Sequence, residues 1–347
     1  MSRYLPFVLF LVACGPTRHA PGDDNGMSDG NPGGTGDGPA CATSTVTAQV
    51  SPLDLYVMLD QSGSMTDPVS GGGTKWSAVT SALSSFVTQT GLTGISMGLQ
   101  YFGLETGGGL DSCTASAYAT AAVEIAPLPG VGTAITASMG THSPSTGTPT
   151  SAALQGAIDH ASAWAASHAG DVAAVVLATD GDPEECDTNL TDIDAIAAAA
   201  LAATPKIATF VIGVGTDTSN LNGIAAAGGT TSAFIVDTTS NVNAQFLAAM
   251  NAIRNSASCQ YQIPLPTDGS SPNFGEVNVV FTPNGGSPTT IPNVGSMAMC
   301  PSSGDGWYYD NPSAPTSIIL CTSTCGSVQA QGSGNVNIAL GCSTVIL

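Results

Sequence analysis

Between residues 51 and 255 the sequence alternates short apolar runs with longer stretches of helical periodicity, and this alternation constrains the fold more than any other feature. The apolar runs cover residues 53–59, 95–102, 172–179, 206–213 and 234–236, and the helical stretches cover 74–89, 154–165, 192–203 and 242–253. A continuous apolar run is typical of a strand that is covered on both faces. Strands that alternate with helices predict an α/β fold built on a doubly wound, mostly parallel sheet.

The remainder of the chain divides into three further segments. After residue 257 helical periodicity disappears, predicted strands at 277–281, 318–320 and 336–340 are separated by Gly, Pro, Ser and Asn, and five of the nine cysteines follow. We therefore predict a small β-rich, disulfide-stapled module at 258–347. Residues 14–50 contain few bulky apolar side chains, which predicts a flexible tether. The predicted boundaries are 1–13 for a signal peptide, 14–50 for the tether, 51–257 for the α/β domain and 258–347 for the module.

The first residues resemble the export signal of a bacterial lipoprotein. Arg3 precedes an apolar run that is too short to span a bilayer and ends in Leu-Val-Ala-Cys at residues 11–14. In lipoproteins such a signal peptide is cut before the cysteine, here Cys14, which then carries lipid. Gly15 in the next position implies sorting to the outer membrane. An ordinary signal peptide or an uncut core segment is the alternative, and lipid on Cys14 would be the membrane anchor.

Charge and cysteine content narrow the partners and the compartment. The chain has 25 acidic and 5 basic residues and a net charge of −20, so it would be repelled by nucleic acid. Without Cys14, eight cysteines remain, and an even number in an exported chain favours disulfides over free thiols. A zinc site is less favoured, because the pair at 321 and 325 has no matching second pair nearby.

Polar oxygens follow two of the predicted strands and one predicted turn. Asp60, Ser62 and Ser64 come directly after the run 53–59, and Asp180 comes after the run 172–179. Thr148 lies between them in Gly-Thr-Pro-Thr, a turn that opens a helix. Ligands bind beyond the carboxyl ends of parallel strands, so these side chains are predicted to meet at one edge of the sheet.

These three segments together resemble the von Willebrand factor A domain family. Residues 60–64 match the D-x-S-x-S element of the family's metal-ion-dependent adhesion site, 147–150 match its threonine turn, and 179–181 match its last aspartate; the resemblance covers residues 51–255. It implies a metal site formed by Asp60, Ser62, Ser64, Thr148 and Asp180. Oxygen donors suit Mg²⁺, with Mn²⁺ or Ca²⁺ as alternatives. Simple capping and turn formation is the competing interpretation of the same residues.

The resemblance implies binding rather than catalysis. An Asp or Glu of a partner protein would complete the coordination of the metal ion, so we expect adhesion by a lipid-anchored protein at the cell surface. A structural subunit of an envelope complex, in which the metal only orders the loops, is the alternative. Phosphate chemistry is disfavoured, because no P-loop is present and Lys75 is the only base close in sequence to Asp60. We expect neither enzymatic activity nor a small-molecule substrate.

Two loops are predicted to surround the site and to carry its specificity, at 103–147 and 182–190. Cys113 lies in the first and Cys186 in the second, where it follows a run of acidic residues. We hypothesise a disulfide between these two cysteines that braces the site. His142 precedes Thr148 by six residues, and we interpret it as a loop histidine that could also face the site.

Overall fold

The computed structural model describes residues 44–48, 50–107, 111–215, 218, 220–230, 232–257, 259–264, 272–330 and 334–347. The predicted signal peptide, Cys14 and residues 15–43 lie outside the described residues. In chain order the elements are β1 (Ser44–Thr47), β2 (Leu53–Asp60), α1 (Lys75–Val87), β3 (Ile95–Phe102), α2 (Ala115–Tyr118), β4 (Val123–Pro127), α3 (Gly132–Met139), α4 (Thr150–Ser167), β5 (Val172–Thr179), α5 (Leu190–Ala202), β6 (Ala208–Val214), α6 (Leu221–Ala227), β7 (Phe234–Val236), α7 (Val242–Ala257), β8 (Gln260–Gln262), β9 (Val277–Thr282), β10 (Thr289–Ile291), β11 (Trp307–Tyr309), β12 (Ser317–Leu320), α8 (Thr322–Ala330) and β13 (Asn335–Leu340).

The predicted doubly wound sheet is confirmed. Six strands lie in the order β4-β3-β2-β5-β6-β7, and all neighbours run parallel except β4, which is antiparallel to β3. Strand β2 is in the middle of the sheet and pairs along its length with β3 on one side and β5 on the other. The carboxyl ends of β2 and β5 are therefore adjacent, which places the two aspartate-bearing loops side by side.

Both faces of this sheet are covered, which is why its strands have apolar residues at nearly every position. All eight residues of β2 are buried. Leu55, Val57 and Leu59 face a cluster that includes side chains of α1 and α7. Tyr56 and Met58 face the opposite cluster, which includes side chains of α4, α5 and α6. Burial on two faces removes the polar alternation of a half-exposed strand.

The carboxyl-terminal module contains two small antiparallel sheets, as expected of a β-rich unit. One has the order β1-β13-β9-β10 and the other β11-β12-β8. Their core centres on the fully buried Trp307, and two disulfides, Cys259–Cys325 and Cys300–Cys321, lie in this part of the chain. Cys342 is also disulfide-bonded.

One strand of the module comes from a segment that the sequence analysis assigned to the tether. Residues 44–47 form β1, which pairs antiparallel with β13 from Ser44↔Leu340 to Thr47↔Asn337. Regular structure thus includes residues before 51. The sequence Ser-Thr-Val-Thr has the β-branched residues of a strand, but the Gly- and Pro-rich residues before it obscure that signal.

Within the portions that the structure describes, no helix is both long and apolar enough to cross a bilayer.

Candidate metal centre

The site is formed where β2 and β5 end together. Leu59 is paired with Ala178, so Asp60 and the Thr179–Asp180 segment leave the sheet at the same edge. After Asp60 the chain enters a short 3-10 helix at Gly63–Thr66, which turns Ser62 and Ser64 back over the strand ends. The amide of Gly63 donates to the carbonyl of Thr146 at 2.8 Å, which holds the loop before α4 against this turn.

Asp60 is fully buried, and both of its carboxylate oxygens accept hydrogen bonds. Oδ1 accepts the Ser62 amide at 2.7 Å, while Oδ2 accepts the Thr179 hydroxyl at 2.6 Å and the Asp180 amide at 3.4 Å. Burial, and then the charge of Asp180, raise the pKa of Asp60 to about 6, although the bonds from Thr179 and Ser62 oppose the rise. Burial and a neighbouring negative charge both disfavour the ionised form of a carboxyl group.

Asp180 connects Ser62 and Ser64 to the ammonium group of Lys75. Its Oδ1 accepts the Ser64 hydroxyl at 2.7 Å and the Ser62 hydroxyl at 3.4 Å, and the two hydroxyl oxygens lie 2.9 Å apart. Its Oδ2 accepts from the Lys75 ammonium at 2.9 Å. The structure thus brings Asp60, Ser62, Ser64 and Asp180 into one hydrogen-bonded group.

Thr148 lies in the turn that precedes α4 and is buried. Its carbonyl oxygen accepts the Thr150 amide at 2.9 Å and the Glu184 amide at 3.2 Å. The second contact joins the threonine turn to the loop that follows Asp180, so the predicted fifth residue belongs to the same loop cluster. Its role as a metal ligand stays a prediction.

The loops around the site are locked to one another. A disulfide joins Cys113 to Cys186, the pair that the sequence analysis hypothesised, with the Cα atoms 5.5 Å apart. Asp111 accepts the Gly147 amide at 2.6 Å, and its carboxylate also contacts Glu185. Burial, and then the charge of Asp111, raise the pKa of Glu185. A Cβ atom at Gly147 would meet the Glu185 carboxylate, the far end of a flexible side chain, which would have to move aside.

His142 supports this edge indirectly. Its Nδ1 lies 2.8 Å from Oε1 of Gln61, and its ring stacks on Tyr101 with the ring centroids 3.6 Å apart. Gln61 in turn donates from Nε2 to the carbonyl of Gly103 at 2.9 Å. His142 is therefore a loop histidine that holds Gln61 in place, and burial lowers the pKa of its imidazole.

Three residues of the site were not found from the sequence. Thr179 orients Asp60, Lys75 neutralises Asp180, and Asp111 anchors the threonine turn. Thr179 precedes the predicted Asp180, so its position was a usable signal. Lys75 was considered only as an argument against phosphate chemistry, and nothing in the pattern around Asp111 indicated a contact with residue 147.

The donor set fits a hard divalent cation. Two carboxylates and two hydroxyls, all oxygen donors, converge at the carboxyl edge of the sheet, and Mg²⁺ takes oxygen ligands while keeping part of its water. Within the described ranges no group of three or more His, Cys, Asp and Glu side chains could hold a metal ion. A site that relies on serine hydroxyls with only two carboxylates is of a different type, so this finding does not conflict with the fit.

Fold and site together define an α/β domain with oxygen donors gathered at the carboxyl edge of its sheet. The sequence model of the von Willebrand factor type A domain matches residues 54–248, more than half of the chain. The chain therefore belongs to the von Willebrand factor type A domain family. A comparison with curated protein sequences finds no match.

Several solved structures are similar to the chain at low identity. BatB from Bacteroides thetaiotaomicron is 16% identical over 58% of this chain and 97% of its own, with a TM-score of 0.40. Proximal thread matrix protein 1 from the mussel byssus, with a zinc-occupied MIDAS motif, is 13% identical over 63% and 50%, also at 0.40. Manganese-loaded TRAP from Plasmodium vivax is 14% identical over 60% and 74%, at 0.37. Likenesses this remote carry no information on what this chain binds.

Proposed function

We propose that this chain is an exported surface protein whose type A domain captures a partner protein through a divalent cation. Asp60, Ser62, Ser64, Thr148 and Asp180 would hold the ion, with Mg²⁺ preferred and Mn²⁺ or Ca²⁺ as alternatives. An Asp or Glu of the partner would supply the remaining ligand. The convergence of four of these five residues in one hydrogen-bonded group, of which Asp60, Ser62 and Asp180 are buried and Ser64 is exposed, is the observation that carries the proposal.

Some residues of the site orient the carboxylates, and others would bind the ion directly. Thr179 and the Ser62 amide fix the Asp60 carboxylate, so this group would act from a set position. The Ser64 hydroxyl donates to Asp180 and lies 2.9 Å from the Ser62 hydroxyl, and each hydroxyl oxygen has two lone pairs, one of which could face a cation. A bound cation would supply the electrophilic centre that attracts the partner's carboxylate. The proposed role is binding, and no catalytic step is assigned.

The compartment is proposed from disulfides and from the amino-terminal sequence. Three disulfides among the described residues favour an oxidising environment outside the cytoplasm. Lipid on Cys14 and sorting to the bacterial outer membrane are the finer proposal, supported by the residues 11–15 alone. No nucleic acid is expected as a partner, because the net charge is −20.

The scaffold alternative, in which a metal serves only to order the loops, has less support. The Cys113–Cys186 disulfide and the contacts of Asp111 and Glu184 already join the loops through the protein's own bonds. A metal that merely ordered these loops would add little.

The proposal is tested by capture of partners from envelope extracts with and without Mg²⁺. Asp60→Asn should abolish Mg²⁺-dependent capture while the domain stays folded. Asp54→Asn is the matched control, because Asp54 is buried in the same strand at the opposite edge, where its Oδ2 accepts from the Trp164 indole. Capture that is unchanged by EDTA and by Asp60→Asn would show that this site does not bind the partner.

A further inference from the structure

Lys75 reaches the candidate metal centre from a fixed position. It is the first residue of α1, whose start is held by a reciprocal pair of bonds between Thr74 and Ser77. The Lys75 amide also donates to the carbonyl of Asp67 at 3.0 Å. The ammonium then lies 2.9 Å from Asp180 Oδ2, and the Lys75 side chain is 12% exposed while that of Asp180 is fully buried. Because the backbone of Lys75 is anchored in this way, its contact with Asp180 follows from the fold.

The charges around Asp180 favour either the Lys75 ammonium or a divalent metal ion, but not both together. Asp60 and Asp180 bring two negative charges, and Lys75 returns one positive charge, so the three groups sum to −1. A buried carboxylate that loses its partner is costly, which gives Lys75 a role when no metal ion is bound. With a divalent cation the two carboxylates are already neutralised, and a lysine ammonium within hydrogen-bonding distance of the same Asp180 would repel the ion.

Asp67 is a second ionic partner for Lys75. The ammonium lies 3.1 Å from Asp67 Oδ2 as well, and the Asp67 side chain is 59% exposed. Lys75 can therefore leave Asp180 while it keeps one ionic partner at the surface.

We propose that Lys75 is a tethered counter-ion that occupies Asp180 in the metal-free protein and competes with the divalent cation for it. This inference rests on the proposed metal site. It means that the cation affinity of the domain is set below what its oxygen donors alone would give. The domain would then stay folded when cations are scarce, and it would bind its partner only when they are plentiful.

The test compares Lys75→Met with Lys206→Met by calorimetric titration of the full chain with Mg²⁺. These are the only two lysines in the sequence, so both variants lose the same charge and nearly the same volume. We expect Lys75→Met to bind Mg²⁺ about tenfold more tightly than the natural protein, because the tethered competitor is gone. Lys206→Met should match the natural protein.

Thermal unfolding gives an independent readout. In EDTA, Lys75→Met should melt at a lower temperature than Lys206→Met, because Asp180 has lost its partner, and saturating Mg²⁺ should restore it. Lys75→Arg keeps the charge, so it should retain the natural Mg²⁺ affinity.

The outcomes separate the inference from the proposed function. If the natural protein binds Mg²⁺ and Lys75→Met binds it equally or more weakly, the competition is wrong while the metal site stands. Lys75→Arg binding as tightly as Lys75→Met would also overturn it. If none of the proteins binds Mg²⁺, Mn²⁺ or Ca²⁺, both the inference and the proposed function fail.

Discussion

At the scale of the residue, Asp60 combines two properties that oppose each other. It is held rigidly by hydrogen bonds from Thr179 and Ser62, yet it is fully buried next to another carboxylate. The bonds favour the charged form, and burial beside Asp180 favours the neutral form. The balance leaves the pKa at about 6, so burial and the neighbouring charge outweigh the hydrogen bonds.

This balance predicts how the stability of the metal-free protein depends on pH. The folded chain binds a proton at Asp60 below about pH 6, whereas an unfolded aspartate does so only near pH 3.9. Between these values the folded state holds more protons, so the free energy of unfolding rises as the pH falls. This contribution of Asp60 is lost as the pH rises through 6. The contribution is at most about 3 kcal/mol.

Urea unfolding in EDTA at pH 4.5 and pH 7 checks this for the natural protein and for Asp60→Asn. Other carboxylates also titrate in this range, so the quantity of interest is the difference between the two proteins. The natural protein should gain stability relative to Asp60→Asn at the lower pH. Equal pH dependence of the two proteins would show that Asp60 has an ordinary pKa.

Single residues also show where sequence reasoning ends. Asp60 and Asp180 could be placed at one edge because each ends an apolar run, and parallel strands share their carboxyl ends. The ion pair between Lys75 and Asp180 could not be placed, because it joins a helix start to a strand end 105 residues away. Such a contact depends on the exact direction of a side chain, and periodicity carries no information on that.

At the scale of the element, apolar runs that are buried on both faces were the easiest to predict. β3, β5 and β7 have the predicted bounds. β4 was missed because it is an edge strand with only one fully buried residue, Ile125, and ends in Pro127. The short helices α2, α3, α6 and α8 were missed as well, because helices of four to nine residues show too little periodicity to be distinguished from loops.

The disulfide between the two loops of the site gives a prediction at this scale. Cys113 and Cys186 are separated by 73 residues, so replacing both by serine should lower the free energy of unfolding by about 4 kcal/mol through the larger entropy of the unfolded chain. It should also weaken Mg²⁺-dependent partner capture, because the segments around Cys113 and Cys186 lose their link. Denaturant unfolding and capture assays measure the two effects.

The Cys300–Cys321 disulfide is the matched control for this change. It closes a shorter loop of the carboxyl-terminal module, with a separation of 21 residues, and its removal should cost about 3 kcal/mol. Partner capture should survive that replacement. If both double variants impair capture equally, the effect comes from stability, and the Cys113–Cys186 bond has no specific role at the site.

At the scale of the whole molecule, the chain has separate hydrophobic cores. Two clusters pack on the faces of the six-stranded sheet, and a third, around Trp307, belongs to the carboxyl-terminal module. The module nevertheless abuts the entry to the central strand, since the Ser51 amide donates to the carbonyl of Gln260 at 3.0 Å. Because the cores are separate, we predict that a substitution in the core of the module leaves the metal centre unaffected.

Trp307→Ala tests this independence. Trp307 is fully buried and its indole donates to the carbonyl of Ile291 at 2.9 Å, so its removal should cost about 3–5 kcal/mol in the stability of the module. We expect Mg²⁺ affinity to be unchanged, because the elements that carry Asp60 and Asp180 pack in other clusters. Phe86→Ala is the counterpart, since Phe86 is fully buried against the sheet that carries the site. It should cost about as much stability and also reduce Mg²⁺ binding. A comparable loss of affinity in Trp307→Ala would mean that the module supports the site directly, and the two parts would then have to be treated as one cooperative unit.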